Sequence, residues 1–212
     1  MPIKLGIIPV TPFEQNCSIL VCQDTGDAAV VDPGGDIDKI LIAVKQMGGS
    51  VKKILLTHGH LDHCASAKDL SDQLGVPIEG PQIAEQFWLD QLPEQTIRFG
   101  FGHAKAFVPT RWLEDGDRVQ VGKVELEVLH CPGHTPGHVV FFDKEGRLAL
   151  VGDVLFAGSI GRTDFPRGNH ADLINAIKTK LWPLGDDVQF VPGHGPMSTF
   201  GKERKTNPYV AG

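Results

Sequence analysis

The 212-residue chain contains no apolar run close to the ~20 residues a membrane-spanning helix needs, which excludes a helical integral membrane protein and leaves no membrane partner to expect. Its opening residues, Met1-Pro2-Ile3-Lys4-Leu5, lack the basic start and long apolar stretch of a secretory signal. Cysteine is scarce. Cys17, Cys22, Cys64 and Cys131 form no paired framework, and none has zinc-site spacing with another. A disulfide-stapled secreted architecture is therefore excluded, and reduced thiols in a cytoplasmic protein are the expectation. Basic residues are outnumbered, 20 Lys and Arg against 26 Asp and Glu, for a net charge of −6. Binding a polyanion takes a basic face, so nucleic acid is not an expected partner. Long linkers, charge blocks and low-complexity segments are absent as well.

What remains is a chain of 41% hydrophobic content, enough to bury a sizeable core in one unit spanning residues 1–212. Apolar segments near Lys4–Val10, Ser18–Val21, Ala28–Val31, Lys53–Leu56, Val119–Val121, Val124–Leu129, His138–Phe142, Leu148–Val151 and Val188–Val191 predict strands. Helical patterns fall near Ile37–Met47, Ala65–Leu74, Gln82–Leu89, His170–Leu181 and Thr199–Lys205. The stretch from Leu92 to Thr110 mixes Gly, Phe and charge; it reads as a connection between two halves and a candidate lid.

Between Thr57 and Cys64 stands His58-Gly59-His60-Leu61-Asp62-His63, behind the apolar run Ile54-Leu55-Leu56-Thr57. On a strand, residues i and i+2 share a side, so His58 and His60 can face one ion. Asp62 and His63 then fall where the segment from Cys64 to Leu74 turns helical, within reach of a second. Neutral imidazole and carboxylate are the usual ligands of zinc, iron and manganese. Three more strands end in a similar way. His134 lies in Cys131-Pro132-Gly133-His134-Thr135-Pro136-Gly137-His138, Asp153 closes Leu148-Ala149-Leu150-Val151-Gly152, and His194 sits in Pro192-Gly193-His194-Gly195-Pro196. A carboxylate at the end of a buried strand is costly unless something pairs with it.

This pattern resembles the metallo-β-lactamase superfamily over nearly the whole chain, from Asp32-Pro33-Gly34 through the tail. The resemblance implies an α/β fold, a four-layer αββα sandwich with the metals at one edge between two sheets. It implies that His58, His60 and His134 bind a first metal and Asp62, His63 and His194 a second, with Asp153 bridging both. Zinc is the expected ion of each pair member, with iron or manganese as alternatives that an all-N/O site accepts. Two such ions lower the pKa of a bridging water to near 7 and stabilise a tetrahedral oxyanion, with Asp62 and Asp153 as the catalytic carboxylates.

Lactamases of one major class carry Cys where this chain has Asp153, so the ligand set looks more like glyoxalase II. Gly193-His194-Gly195-Pro196, Gly201, Glu203-Arg204 and Asn207-Pro208 are similar to its short, single-domain relatives. The implied activity is hydrolysis of a small-molecule thioester such as S-lactoylglutathione. Two features limit that substrate: only 18 residues follow His194, where full-length enzymes carry a helical glutathione-binding part, and the glutathione-contacting tyrosines are not apparent. The competing reading is a persulfide dioxygenase with one iron on the first-site ligands, because Gly161-Arg162-Thr163-Asp164-Phe165 looks like a segment of those enzymes. Lactonases share the ligand set but use a tyrosine near the metals, and the only tyrosine here is Tyr209.

Other residues have weaker roles to expect. Asp32 would hydrogen-bond a ligand loop, and His138 is either a structural histidine or one that orients a neighbour. Arg162 and Arg167 would meet a substrate carboxylate, or Arg162 would simply pair with Asp164. Cys64 and Cys131 read as small packing residues near the site.

Overall fold

The computed structural model describes residues 2–211. Its first sheet holds β1 (Ile3–Val10), β2 (Gln15–Cys22), β3 (Asp27–Val31), β4 (Ser50–Leu55) and β5 (Ile78–Glu79) in that spatial order. The first three strands run antiparallel and the last three parallel. The second sheet contains β6 (Arg118–Val121), β7 (Val124–His130), β8 (Val139–Asp143) and β9 (Leu148–Gly152). A separate two-stranded hairpin follows, β10 (Leu155–Phe156) and β11 (Ser159–Ile160), before β12 (Gln189–Pro192) and β13 (Ser198–Thr199) complete the second sheet in the order β13-β12-β9-β8-β7-β6. The helices are α1 (Ile37–Gln46), α2 (Leu61–Cys64), α3 (Ala67–Leu74), α4 (Gln86–Asp90), α5 (Leu92–Arg98), α6 (His170–Ala176) and α7 (Phe200–Thr206).

The near-continuous apolar strands have a simple cause: both faces of each central strand are covered. In β3, Ala28 and Val30 face the layer that includes Ile40 and Val44 of α1 and Ala67 and Leu70 of α3, while Ala29 and Val31 face the second sheet. In β9, Leu148 and Leu150 face the first sheet, while Ala149 and Val151 pack with Leu173 and Ala176 of α6 and Phe200 of α7. Three apolar layers between helices, sheet, sheet and helices make the αββα sandwich. The exception is β7, where Val124, Leu126 and Val128 are buried and Glu125 is exposed. That strand alternates because its outer face meets solvent.

Four expectations need correction. The strand β4 ends at Leu55, so His58 and His60 lie in a loop rather than on alternating strand positions. The helix after them begins at Leu61, which puts Asp62 and His63 inside α2. The stretch from Leu92 to Thr110 is no lid: α5 buries Leu92 and Thr96, and Ala104 and Phe107 belong to the first core layer. The helical pattern predicted for His170–Leu181 is α-helical only to Ala176; Ile177–Leu181 widen into a π-helical turn.

Candidate metal centre

The loops at one edge of the two sheets converge. The loop after β4 and α2 supplies His58, His60, Asp62 and His63, the β7–β8 loop His134, the end of β9 Asp153, and the end of β12 His194. All seven sequence-predicted donors meet there. His58, His60 and His134 each offer a nitrogen, and these lie within 4.8 Å of one another; Asp62, His63 and His194 form a second such group. Asp153 spans them. Its Oδ1 lies 3.3 Å from His63 Nε2, and its Oδ2 lies 3.6 Å from His134 Nε2 and 3.9 Å from His194 Nε2.

Hydrogen bonds on the far side of each ring decide which nitrogen points inward bare. His134 Nδ1–H donates to the Arg162 carbonyl at 2.7 Å and His194 Nδ1–H to the Phe13 carbonyl at 3.1 Å. The Thr57 hydroxyl donates to Asp32 Oδ2 at 2.6 Å, so it accepts from His58 Nδ1–H at 3.1 Å. His63 Nδ1–H donates to the same Asp32 oxygen at 3.0 Å. The Nε2 atoms of all four rings are then lone pairs. His58 and His134 direct theirs at His60 Nδ1, 3.1 and 3.0 Å away, and one hydrogen there cannot serve both. With its ring neutral, His194 directs its own at Asp62 Oδ2, 3.1 Å away, acceptor against acceptor, a contact relieved by a proton or a metal ion. His63 Nε2 and Asp153 Oδ1 are buried without a hydrogen-bond partner. Buried polar atoms without partners are rare and call for one. A cation in each group satisfies these contacts, so the residues fit the metals that the motif implies.

The two groups differ electrostatically. Burial and neighbouring histidines keep His58 neutral, and burial pushes His60 down to about 3 and His134 below its usual value. Neutral imidazole is the form that ligates. In the second group burial opposes the imidazolium, but the carboxylates of Asp153 and Asp62 outweigh it at His63, and the hydrogen bond to Asp62 does so at His194. A proton therefore competes with a cation there. Asp153 is held far below the ordinary carboxylate value, mainly by His63 against the cost of its burial.

Asp32 acts as expected. Both its oxygens are spent, on Thr57 N at 2.8 Å and on the Thr57 hydroxyl and His63, so it orients donors from behind. His138 does both things foreseen for it. It is fully buried and stacks on His58 at 4.6 Å, and its Nε2 accepts from Asp153 N at 3.0 Å. Cys64 and Cys131 are buried thiols, pushed up by burial, Cys131 to about 12. Arg162 lines the cleft but is clamped on Asp164 by two bonds of 2.7 and 2.6 Å and lies over the Phe165 ring at 4.4 Å. Arg167 does not line it; its guanidinium rests 4.1 Å over Phe87.

Two residues have roles at the site that the sequence did not show, Glu85 without any signal and Gly193 only as part of a motif. Glu85, fully buried, accepts from Gly59 N at 2.8 Å and Gly137 N at 2.7 Å, tying the loop of His58 and His60 to that of His134. At Gly193, any Cβ would stand 2.0 Å from Asp153 Oδ1, so only glycine lets the last loop approach the shared carboxylate. The cleft above has a volume of about 580 Å³, and Phe13, Phe156, Ile160 and Phe165 give it a largely apolar wall.

A chain from Haemophilus influenzae, hydroxyacylglutathione hydrolase GloC, is 45% identical over 208 residues, 98% of each chain. Among solved structures, the BLEG-1 B3 metallo-beta-lactamase superposes with a TM-score of 0.89 at 32% identity, covering 99% of this chain and 100% of that one. TTHA1623, in a di-iron-bound form, gives 0.87 at 33% identity, covering 97% and 100%. The family model described as metallo-beta-lactamase superfamily matches residues 10–194, a span that holds every one of the seven donors. The chain belongs to the metallo-beta-lactamase superfamily.

Proposed function

We propose that this protein is a dinuclear metal-dependent hydrolase of thioesters, with a hydroxyacylglutathione such as S-lactoylglutathione as its substrate. The observation that carries the reading is the pair of donor groups joined by Asp153, each with inward donor atoms that a cation would satisfy together. His58, His60 and His134 would hold one divalent ion, Asp62, His63 and His194 the other, and Asp153 would touch both. Zinc is the ion assigned, since imidazole and carboxylate suit it; iron and manganese suit the same donors. Such ions supply a Lewis acid for a carbonyl and lower the pKa of water.

The chain's own groups do the rest. Asp62 Oδ2, at the mouth of the second group and 3.1 Å from His194 Nε2, is placed to accept a proton from water entering the cleft. The apolar wall of Phe13, Phe156 and Phe165 keeps further water away and strengthens the electrostatics inside. No side chain in the cleft is an evident general acid for a poor leaving group, and a thiolate needs none. The 45% identical relative's name adds independent support for the glutathione thioester. A dioxygenase reading would use the first group alone, and the ligand residues fit it too; the tail around Asn207-Pro208 speaks against it.

Metal-replete protein tested with S-lactoylglutathione, a lactone, a β-lactam and glutathione persulfide in an oxygen-electrode cell decides the matter. Thiol release from the thioester without oxygen uptake is the expected result, with the β-lactam cleaved far more slowly. Oxygen uptake with the persulfide and no thioester cleavage would overturn the proposal.

A further inference from the structure

The hairpin of β10 and β11 belongs to neither large sheet, yet it carries Phe156 and Ile160 onto the wall of the cleft. A two-residue turn closes it, with Phe156 opposite Ser159 and Gly158 supplying the positive φ of 75°. An isolated pair of two-residue strands has little stability of its own. Its turn is held from outside by Glu203 on α7 and by Asn207, which caps the end of that helix. Glu203 Oε2 accepts from Gly158 N at 2.7 Å. Asn207 Nδ2 donates to the carbonyls of Ser159 at 3.0 Å and Phe156 at 3.4 Å, and to Glu203 Oε2 at 3.0 Å.

Both residues are fully buried, and α7 itself is firmly seated. Phe200 lies in the core layer against Phe190, and Gly201 N donates to the Asp186 carbonyl at 3.0 Å. The Ser198 hydroxyl donates to the other Glu203 oxygen. Glu203 and Asn207 thus connect a fixed helix to the polar backbone of a turn that would otherwise face the cleft unsupported. Neither touches a donor of the metal centre.

We infer that Glu203 and Asn207 are positioning residues for substrate: a clasp from α7 that sets the place of the β10–β11 wall and thereby the fit of the substrate in the cleft. The kinetic part of this inference rests on the thioester hydrolase reading; the structural part does not.

The variant Asn207→Ala removes the two bonds to the hairpin carbonyls. Hydrogen exchange followed by mass spectrometry should show the amides of residues 155–161 exchanging about tenfold faster or more, the scale of ordinary hydrogen bonds lost, while residues 58–64 and 189–194 stay protected. With S-lactoylglutathione, KM should rise several-fold while kcat and metal content stay within about twofold of the unaltered protein. Should Asn207→Ala not fold, Glu203→Gln keeps the side-chain shape, weakens the acceptor for Gly158 N, and should move the same readouts in the same direction. Unchanged exchange in the hairpin of a folded variant would overturn the clasp. So would loss of metal, a uniform rise in exchange over the whole chain, or failure of both variants to fold, each of which would mark a general structural role. If the unaltered protein does not cleave S-lactoylglutathione, the substrate reading fails, and the exchange experiment still judges the clasp.

Discussion

Glu85 offers a quantitative test of how the metal centre is built. Its carboxyl is fully buried and accepts two backbone N–H groups, from Gly59 and Gly137. Burial raises it from an ordinary value of 4.5 to about 7, although those N–H donors pull the other way. A folded-state value above the unfolded one means that the folded protein holds the proton more tightly. The associated stability is therefore fully present below pH 4.5 and is lost as pH rises through about 7. The displacement corresponds to about 3 kcal/mol. In Glu85→Gln the amide is uncharged and does not titrate; its oxygen accepts one of the two backbone N–H groups and its NH2 can accept neither, a cost that does not change with pH. The unfolding free energy of the unaltered protein minus that of the variant should thus fall by about 3 kcal/mol over the window, most of it between pH 5 and 8. Urea unfolding with excess chelator keeps metal linkage out of both proteins, and groups common to both cancel. A difference that stays flat, or that grows with pH, would refute the claim that this carboxylate is ionised at a cost.

Elemental analysis of metal-replete protein should give close to two ions per chain; one ion with the second group empty would remove the dinuclear reading. Asp153→Ala, which takes away the carboxylate within 4.0 Å of His63, His134 and His194, should lose metal from both groups and abolish turnover, read by the same analysis and a thiol-release assay. Gly193→Ala should keep the fold, read by circular dichroism, but lose metal and activity, because its Cβ would meet Asp153 Oδ1 at 2.0 Å. Arg162→Ala breaks an exposed pair with Asp164, and should leave metal content and melting temperature unchanged. A higher KM in that variant, for anionic substrates alone, would show that Arg162 contacts substrate.

The legible part of this fold was the part with a period. The doubly covered strands announce themselves as apolar runs, and the polar donor at the end of each run stands out against it. Strands of two residues, such as β5, β10, β11 and β13, have no period to read, and their partners come from distant chain. The turn of α2 was invisible because His60, Leu61, Asp62 and His63 look alike whether they end a strand or begin a helix. Donor identities follow from residue type, but the atoms behind them do not. Asp32 was readable because it also ends an apolar strand, whereas Glu85 sits in a helical pattern like any surface glutamate. Only the fold brings it under Gly59 and Gly137, 26 and 52 residues away. Glu203 and Asn207 were visible as a tail motif, but the hairpin they hold had no signature of its own.

The bond from His194 to the Phe13 carbonyl joins residues 181 apart, and this separation gives the centre a history as well as a shape. During synthesis the cluster from His58 to His63 leaves the ribosome with strands β1 to β4 of the first sheet already made. His194 follows roughly 130 residues later, on the order of ten seconds at cellular rates of elongation. Until then Asp62 and His63 lack their third partner, and the Phe13 turn has nothing to orient. An early-bound ion would find an open, exchangeable half-site, and the group of Asp62, His63 and His194 can close only around a chain whose β12 is in register. Assembly of the complete centre is therefore a late event that reports the finished fold.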